Sequence, residues 1–145
     1  MIIRKYKDDD HDALVQLWSQ VFPNDPPHND PRSVIAAKRA VDDLIFVVVD
    51  DNNIIGACMA GYDGHRGWLY SVAVQEHNRR QGTGAALVKH AVNTLRELGC
   101  IKINLQIRAG NEAVADFYRS LGFIAEERIS MGILLQPPPG HDESE

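Results

Sequence analysis

The chain has 145 residues, 44% of them hydrophobic, and 20 acidic against 15 basic side chains for a formal net charge of −5. That is enough chain for one domain with a real core, and the acid excess argues against a nucleic-acid partner. No apolar run approaches membrane-spanning length, and Met1-Ile2-Ile3-Arg4 lacks a signal-peptide core, so no membrane is expected and the cytoplasm is the expected compartment.

Met1 to Tyr6 alternates as a short strand. Asp8 to Asp12 supplies N-caps and first-turn acids, a role preferred over docking of a cationic substrate. The helix that follows carries the stripe Leu14, Leu17, Trp18 and Val21. Pro23, Pro26, Pro27 and Pro31 make the next stretch a stiff loop, and Asp30-Pro31 opens a second helix through about Val41. Leu44 to Val49 is apolar on both faces, as an interior strand is. Asp50 to Asn53 turns it into a second strand, Ile54 to Tyr62, rich in small residues. Asp63 to Gly67 is the next turn, leading into Trp68 to Val74 with Trp68, Tyr70, Val72 and Val74 assigned to one face.

A loop and a helix follow. Leu87, Val88, Ala91, Leu95 and Leu98 recur at helical spacing, closed by Gly99. Ile101, Ile103, Leu105 and Ile107 then alternate with polar residues through Arg108, a strand expected to lie parallel to the Trp68 strand because a helix connects them. Asn111 caps a last helix with the stripe Val114, Phe117 and Leu121, and two short strands are expected between Phe123 and Leu135. Residues 136–145, Pro-rich and acidic, are expected to be a disordered tail to a single domain over residues 1–135. Cys58 and Cys100 are expected as buried thiols rather than a disulfide.

The loop Arg79-Arg80-Gln81-Gly82-Thr83-Gly84-Ala85-Ala86 carries the chemistry. Its glycines let an anion approach the backbone, the helix start offers unpaired N–H groups, and the arginines add charge and bidentate donors. A pyrophosphate is the ligand this suits. A P-loop would need G-x-x-x-x-G-K-[ST], which is absent. A dinucleotide fingerprint would need a third glycine where Leu87 stands.

What the loop does match is R-x-x-G-x-G/A, as Arg79-x-x-Gly82-x-Gly84, which resembles the acetyl-CoA pyrophosphate loop of the GNAT superfamily of N-acetyltransferases. A second segment, Asn111 to Phe123, is similar to that family's N-x-x-A-x-x-F-Y-x-x-L-G-F, and Gly61 to Gly67 resembles a small bacterial branch, the YpeA-like proteins. The resemblance implies an α+β fold, a mostly antiparallel mixed sheet of about six to seven strands with a parallel pair at the cofactor cleft and about four flanking helices. It implies acetyl-CoA as cofactor and transfer of its acetyl group to a primary amine. Arg79, Arg80, Gln81, Gly82, Thr83, Gly84 and Ala85 would surround the pyrophosphate. Val72, Ala73 and Val74 would run beside the pantetheine, with the Val72 N–H as oxyanion donor, and Asn111 and Phe117 would touch the cofactor chain. Tyr118 matches the general acid that protonates the departing thiolate.

The base is where this chain departs from the pattern. The protein-lysine branch places a glutamate about eleven residues ahead of the loop motif, and here Trp68 stands there. Asp63, His65 or a water chain are the alternatives, and Trp18, Asp63, His65 and Tyr70 are the candidates for contact with the acceptor. The expected acceptor is a small amine. A protein or peptide amine, and a non-catalytic acyl-CoA-binding module, are the other readings, and the resemblance implies pairing into a homodimer as one option.

Overall fold

A computed structural model describes residues 1–136, which divide into two compact units, Met1–Leu105 and the residues from Gln106 onward. The disordered-tail expectation falls, but for Gln136, outside the described residues.

In the first unit, β1 (Ile2–Lys5), β2 (Ile45–Asp50), β3 (Asn53–Tyr62) and β4 (Gly67–Val74) form an antiparallel meander, and β5 (Ile103–Asn104) adds to β4 in parallel. Helices α1 (His11–Val21) and α2 (Pro31–Arg39) cover one face, α3 (Thr83–Glu97) the other. The pairing of each strand decides which side its residues take. Ile45, Val47, Ala57 and Ala73 pack with Leu14, Leu17, Trp18 and Ile35. Phe46 points the opposite way, its ring edge-on to His90 of α3 at 5.2 Å. Leu87, Val88, Ala91 and Leu95 are buried as the spacing requires, whereas Leu98 lies past the last turn and is exposed.

The acidic run has a partner that sequence reading did not supply. Arg4 donates two parallel bonds to the Asp10 carboxylate, at 2.8 and 3.0 Å, and the Lys7 N–H adds a third at 2.8 Å. Asp10 is only 7% exposed. The Arg4 hydrogen bond, more than any other group, holds its carboxyl below the ordinary value of 3.8. A depressed folded-state pKa means this contribution is complete above pH about 4 and drains away as pH falls below it. Asp10→Asn should therefore cost about 1.5–3 kcal/mol at pH 7. In urea melts, the gap between variant and wild type should close as the pH is lowered toward 3.

Gly67 marks a close approach. A Cβ there would stand 2.7 Å from Cys100 Sγ and 3.1 Å from both Leu95 Cδ1 and Ile103 Cγ1, while its N–H donates to Lys102 O at 2.9 Å. Gly67→Ala should lower stability by about 1–3 kcal/mol through overpacking. Trimming the nearest obstacle, in Gly67→Ala with Cys100→Ala, should restore part of it in a urea titration.

The strand count is five among the described residues, below the six to seven expected. The alternation of Ile101 to Arg108 yields only two paired residues, Gly67↔Ile103 and Trp68↔Asn104, and Ile101 is exposed. The two strands expected between Phe123 and Leu135 are not formed, and Ile129, Met131, Ile133 and Leu135 are exposed. Alternation specifies which side chains share a face, but a strand exists only where a neighbour accepts its N–H groups.

The second unit holds α4 (Glu112–Ser120). Asn111 caps it by accepting the Val114 N–H at 3.3 Å, and Gly122 ends it at φ 96°. The N-cap and the terminal glycine are where the sequence put them.

No helix among the described residues is long and apolar enough to cross a membrane.

Candidate active site

The strand that leads into the glycine loop is not regular. Ala57 pairs with Ala73 and Met59 with Tyr70, so β4 spends one more residue than β3 across the same interval. Ser71 takes φ 52° at this bulge. The extra residue resets the alternation: Trp68, Tyr70 and Ala73 share the α1 side, and Val72 and Val74 face α3. The single face assigned to Trp68, Tyr70, Val72 and Val74 is thereby corrected. Bulges leave a residue outside one-to-one pairing and re-aim the backbone around it. Trp18 holds this one from the core, its indole N–H donating to Ser71 O at 2.9 Å. Trp18 is only 3% exposed, so its place is beneath the strand, not on an open wall.

Past the bulge the chain is fastened and then released. Gln75 donates from its backbone N–H to Ile55 O at 2.8 Å and from its side chain to Ile54 O at 3.2 Å. Arg79 Nε reaches back to Val74 O at 3.1 Å, and Arg80 and Gly82 both take positive φ, 65° and 78°. The first helical bond runs from the Ala86 N–H to Gly82 O at 3.0 Å, so the N–H groups of Thr83, Gly84 and Ala85 start outside the helical ladder. No acidic side chain occupies this first turn, and a Cβ on Gly82 would meet nothing within 4 Å among the described residues. Arg79, Arg80 and Gln81 are exposed around it. Asn78 Oδ1, in the same loop, is buried with no hydrogen-bond partner among the described residues. Three donors outside the ladder at the positive end of a fifteen-residue helix, with two guanidinium groups beside space that no other described residue fills, fit a diphosphate. Thr83 can contribute only its backbone, because its hydroxyl is buried against Met1 Sδ at 3.8 Å.

Asp63 and His65 sit in the turn before β4, at the opposite end of that strand from the loop, about 23 Å by strand rise. Asp63 accepts the His65 and Arg66 N–H groups, both at 2.7 Å. These bonds, Arg66's first, hold its carboxyl below the ordinary range. That makes it a weaker proton acceptor than a free aspartate. His65 is exposed. Tyr70 is 44% exposed, and burial followed by the nearby Asp63 charge pushes its phenol above the ordinary value.

In the second unit Tyr118 is 8% exposed, set edge-on to Phe117 at 5.0 Å and to Phe123 at 5.6 Å. The Phe123 N–H donates to the Tyr118 backbone carbonyl at 3.1 Å, closing the end of the helix. Asn111 uses its side chain on the helix cap. Neither cysteine is in a disulfide; burial lifts the Cys58 thiol to about 12, and Cys100 is half-buried, donating to Lys102 O at 3.3 Å.

Comparison with known proteins gives the same direction. An acetyltransferase of Pectobacterium atrosepticum is 36% identical over 133 residues, covering 91% of this chain and 94% of its own. Among solved structures, the aminoglycoside N-acetyltransferase AAC(6')-Iy in complex with CoA superposes with a TM-score of 0.76 at 18% identity, over 93% of this chain and 95% of that one. The ribosomal-protein-S18-alanine N-acetyltransferase of Escherichia coli superposes with 0.73 at 22% identity, over 83% and 76%. At these identities the two structures speak for the fold. A model of the Acetyltransferase (GNAT) family matches residues 11–123, which takes in the glycine loop and the last helix together, and this chain therefore belongs to that family.

Proposed function

We propose that residues 1–135 act as one acetyl-CoA-dependent N-acetyltransferase domain that transfers an acetyl group to a small primary amine. The observation that carries this reading is the start of α3, where three backbone donors lie outside the ladder beside Gly82, Arg79 and Arg80. Bound there, acetyl-CoA supplies an activated acetyl group as a thioester. Gly82, Thr83, Gly84 and Ala85 hold the diphosphate through main-chain N–H, and the arginines neutralise it. The Val72 N–H, next to the bulge, donates to the acetyl oxygen as that oxygen gains charge. Asn111 and Phe117 contact the cofactor chain.

Tyr118 protonates the leaving sulfur. A free phenol near pKa ~10 against a thiol near ~8.5 makes complete transfer uphill by about 2 kcal/mol. The hydrogen bond formed as charge develops still lowers the barrier. The attacking amine must be neutral, and His65 or water accepts its proton; Asp63, held ionised by two backbone N–H groups, is the weaker choice.

Trp68, where the protein-lysine branch has glutamate, favours one second reading, a module that binds acyl-CoA without turnover. A thiol-release assay with acetyl-CoA separates the two over a panel of polyamines, amino acids, aminoglycosides and N-terminal peptides. Acetyl transfer to a member of the panel is expected. Tight acetyl-CoA binding with no release on any of them would favour the non-catalytic module.

A further inference from the structure

On the α1 side of β4, just before the bulge, stands an aromatic pair with no part in the mechanism above. The rings of Trp68 and Tyr70 stack with centroids 6.3 Å apart and planes 17° from parallel. Trp68 is half-buried and Tyr70 exposed. Their cross-strand partners, Gly61 and Met59, leave the floor low on one side. Where a Gly61 Cβ would stand, the flanking atoms are Lys38 Nζ and Tyr70 Cε2, each 3.8 Å away.

The charges around the pair select the ligand. Lys38 is neutralised by Asp42, with Nζ 2.8 Å from Oδ1. Arg66 turns its guanidinium onto His65 O at 3.0 Å. Asp63 is the carboxylate whose charge reaches the Tyr70 phenol, and its own bonds to two N–H groups keep it ionised. An exposed ring face within the field of a carboxylate attracts a cation more strongly than the ring alone.

We propose that Trp68, Tyr70 and Asp63 form a subsite for a second cationic group on the acceptor, so that the preferred substrates are diamines. This rests on the acetyl-transfer reading: Tyr70 stands two residues along β4 from Val72, a separation of about 7 Å by strand rise, which a diamine spans to bring its far amine to the acetyl group at the Val72 N–H.

The test compares putrescine with butylamine, equal in carbon chain and differing in the second ammonium, in the thiol-release assay. Putrescine is expected to show at least tenfold higher kcat/KM. Tyr70→Leu and Asp63→Asn should each shrink that putrescine-to-butylamine ratio by roughly three- to thirtyfold. Asparagine keeps an oxygen for the turn, so the second variant removes charge alone. Equal rates on the two amines in the wild type, a loss that falls equally on both in the variants, or a preference for tyramine over putrescine would overturn the subsite. A binding readout separates this failure from that of the parent reading. Putrescine alone should change tryptophan emission saturably in the wild type, with the change lost in Trp68→Leu. That signal without acetylation of any amine would sink acetyl transfer and leave the subsite standing. Acetylation without that signal would sink the subsite and leave acetyl transfer standing.

Discussion

Acetyl-CoA at one hundred times its Kd should stabilise the wild-type protein by about 2.7 kcal/mol, a rise in melting temperature of roughly 6–12 °C for a chain this size. Gly82→Asp should abolish that rise. The backbone there has φ 78°, which glycine adopts freely and aspartate tolerates at a cost, and a Cβ would meet no neighbour within 4 Å. The variant should therefore fold. Its carboxylate would then compete for the N–H groups of Thr83, Gly84 and Ala85 and repel the diphosphate from the same spot. Gly82→Asn, with the same shape and no charge, should keep a measurable part of the shift. An unmoved wild-type melting curve would remove coenzyme A from the account.

Tyr118→Phe should lower kcat at least tenfold on any amine that is turned over, while the acetyl-CoA-induced thermal shift stays within error of wild type. General acids contribute about 10²–10⁴-fold, so tenfold is a floor. The substitution is conservative where it matters: the ring stays, so the edge-on contacts with Phe117 and Phe123 persist and only the oxygen is lost. A kcat equal to wild type would take Tyr118 out of the chemistry. A variant that loses cofactor binding as well would assign the hydroxyl to structure.

Both predictions come from segments whose residues could be read without coordinates. The glycine loop and α3 were legible because their signals are local: glycines for positive φ, a helical stripe, a terminal Gly99. The cap and closing glycine of α4 were legible for the same reason. The bulge in β4 was not. Ser71 is an ordinary strand residue in isolation, and only the pairing of Ala57 with Ala73 and Met59 with Tyr70 exposes the slip. Nor was the Arg4–Asp10 pair, since a run of acids before a helix already has a sufficient role in capping, and the strand-to-helix geometry that brings Arg4 over it is non-local. The two strands expected between Phe123 and Leu135 are not formed, because no neighbouring strand among the described residues pairs with them. Trp18, a candidate acceptor contact by the family resemblance, is the prop under Ser71, a role fixed by a contact 53 residues away in the chain.

The slip at Ser71 also bears on how such a protein diverges. With the alternation reset there, Trp68 and Tyr70 present to one side of the sheet and Val72 and Val74 to the other. Selection can therefore redraw the first half of a single ribbon, trading one aromatic for another, without disturbing the second. Loss of Ser71 would restore one-to-one pairing with β3 and leave each remaining side chain on its present side, so what the extra residue adds is the turn of the backbone between the two halves.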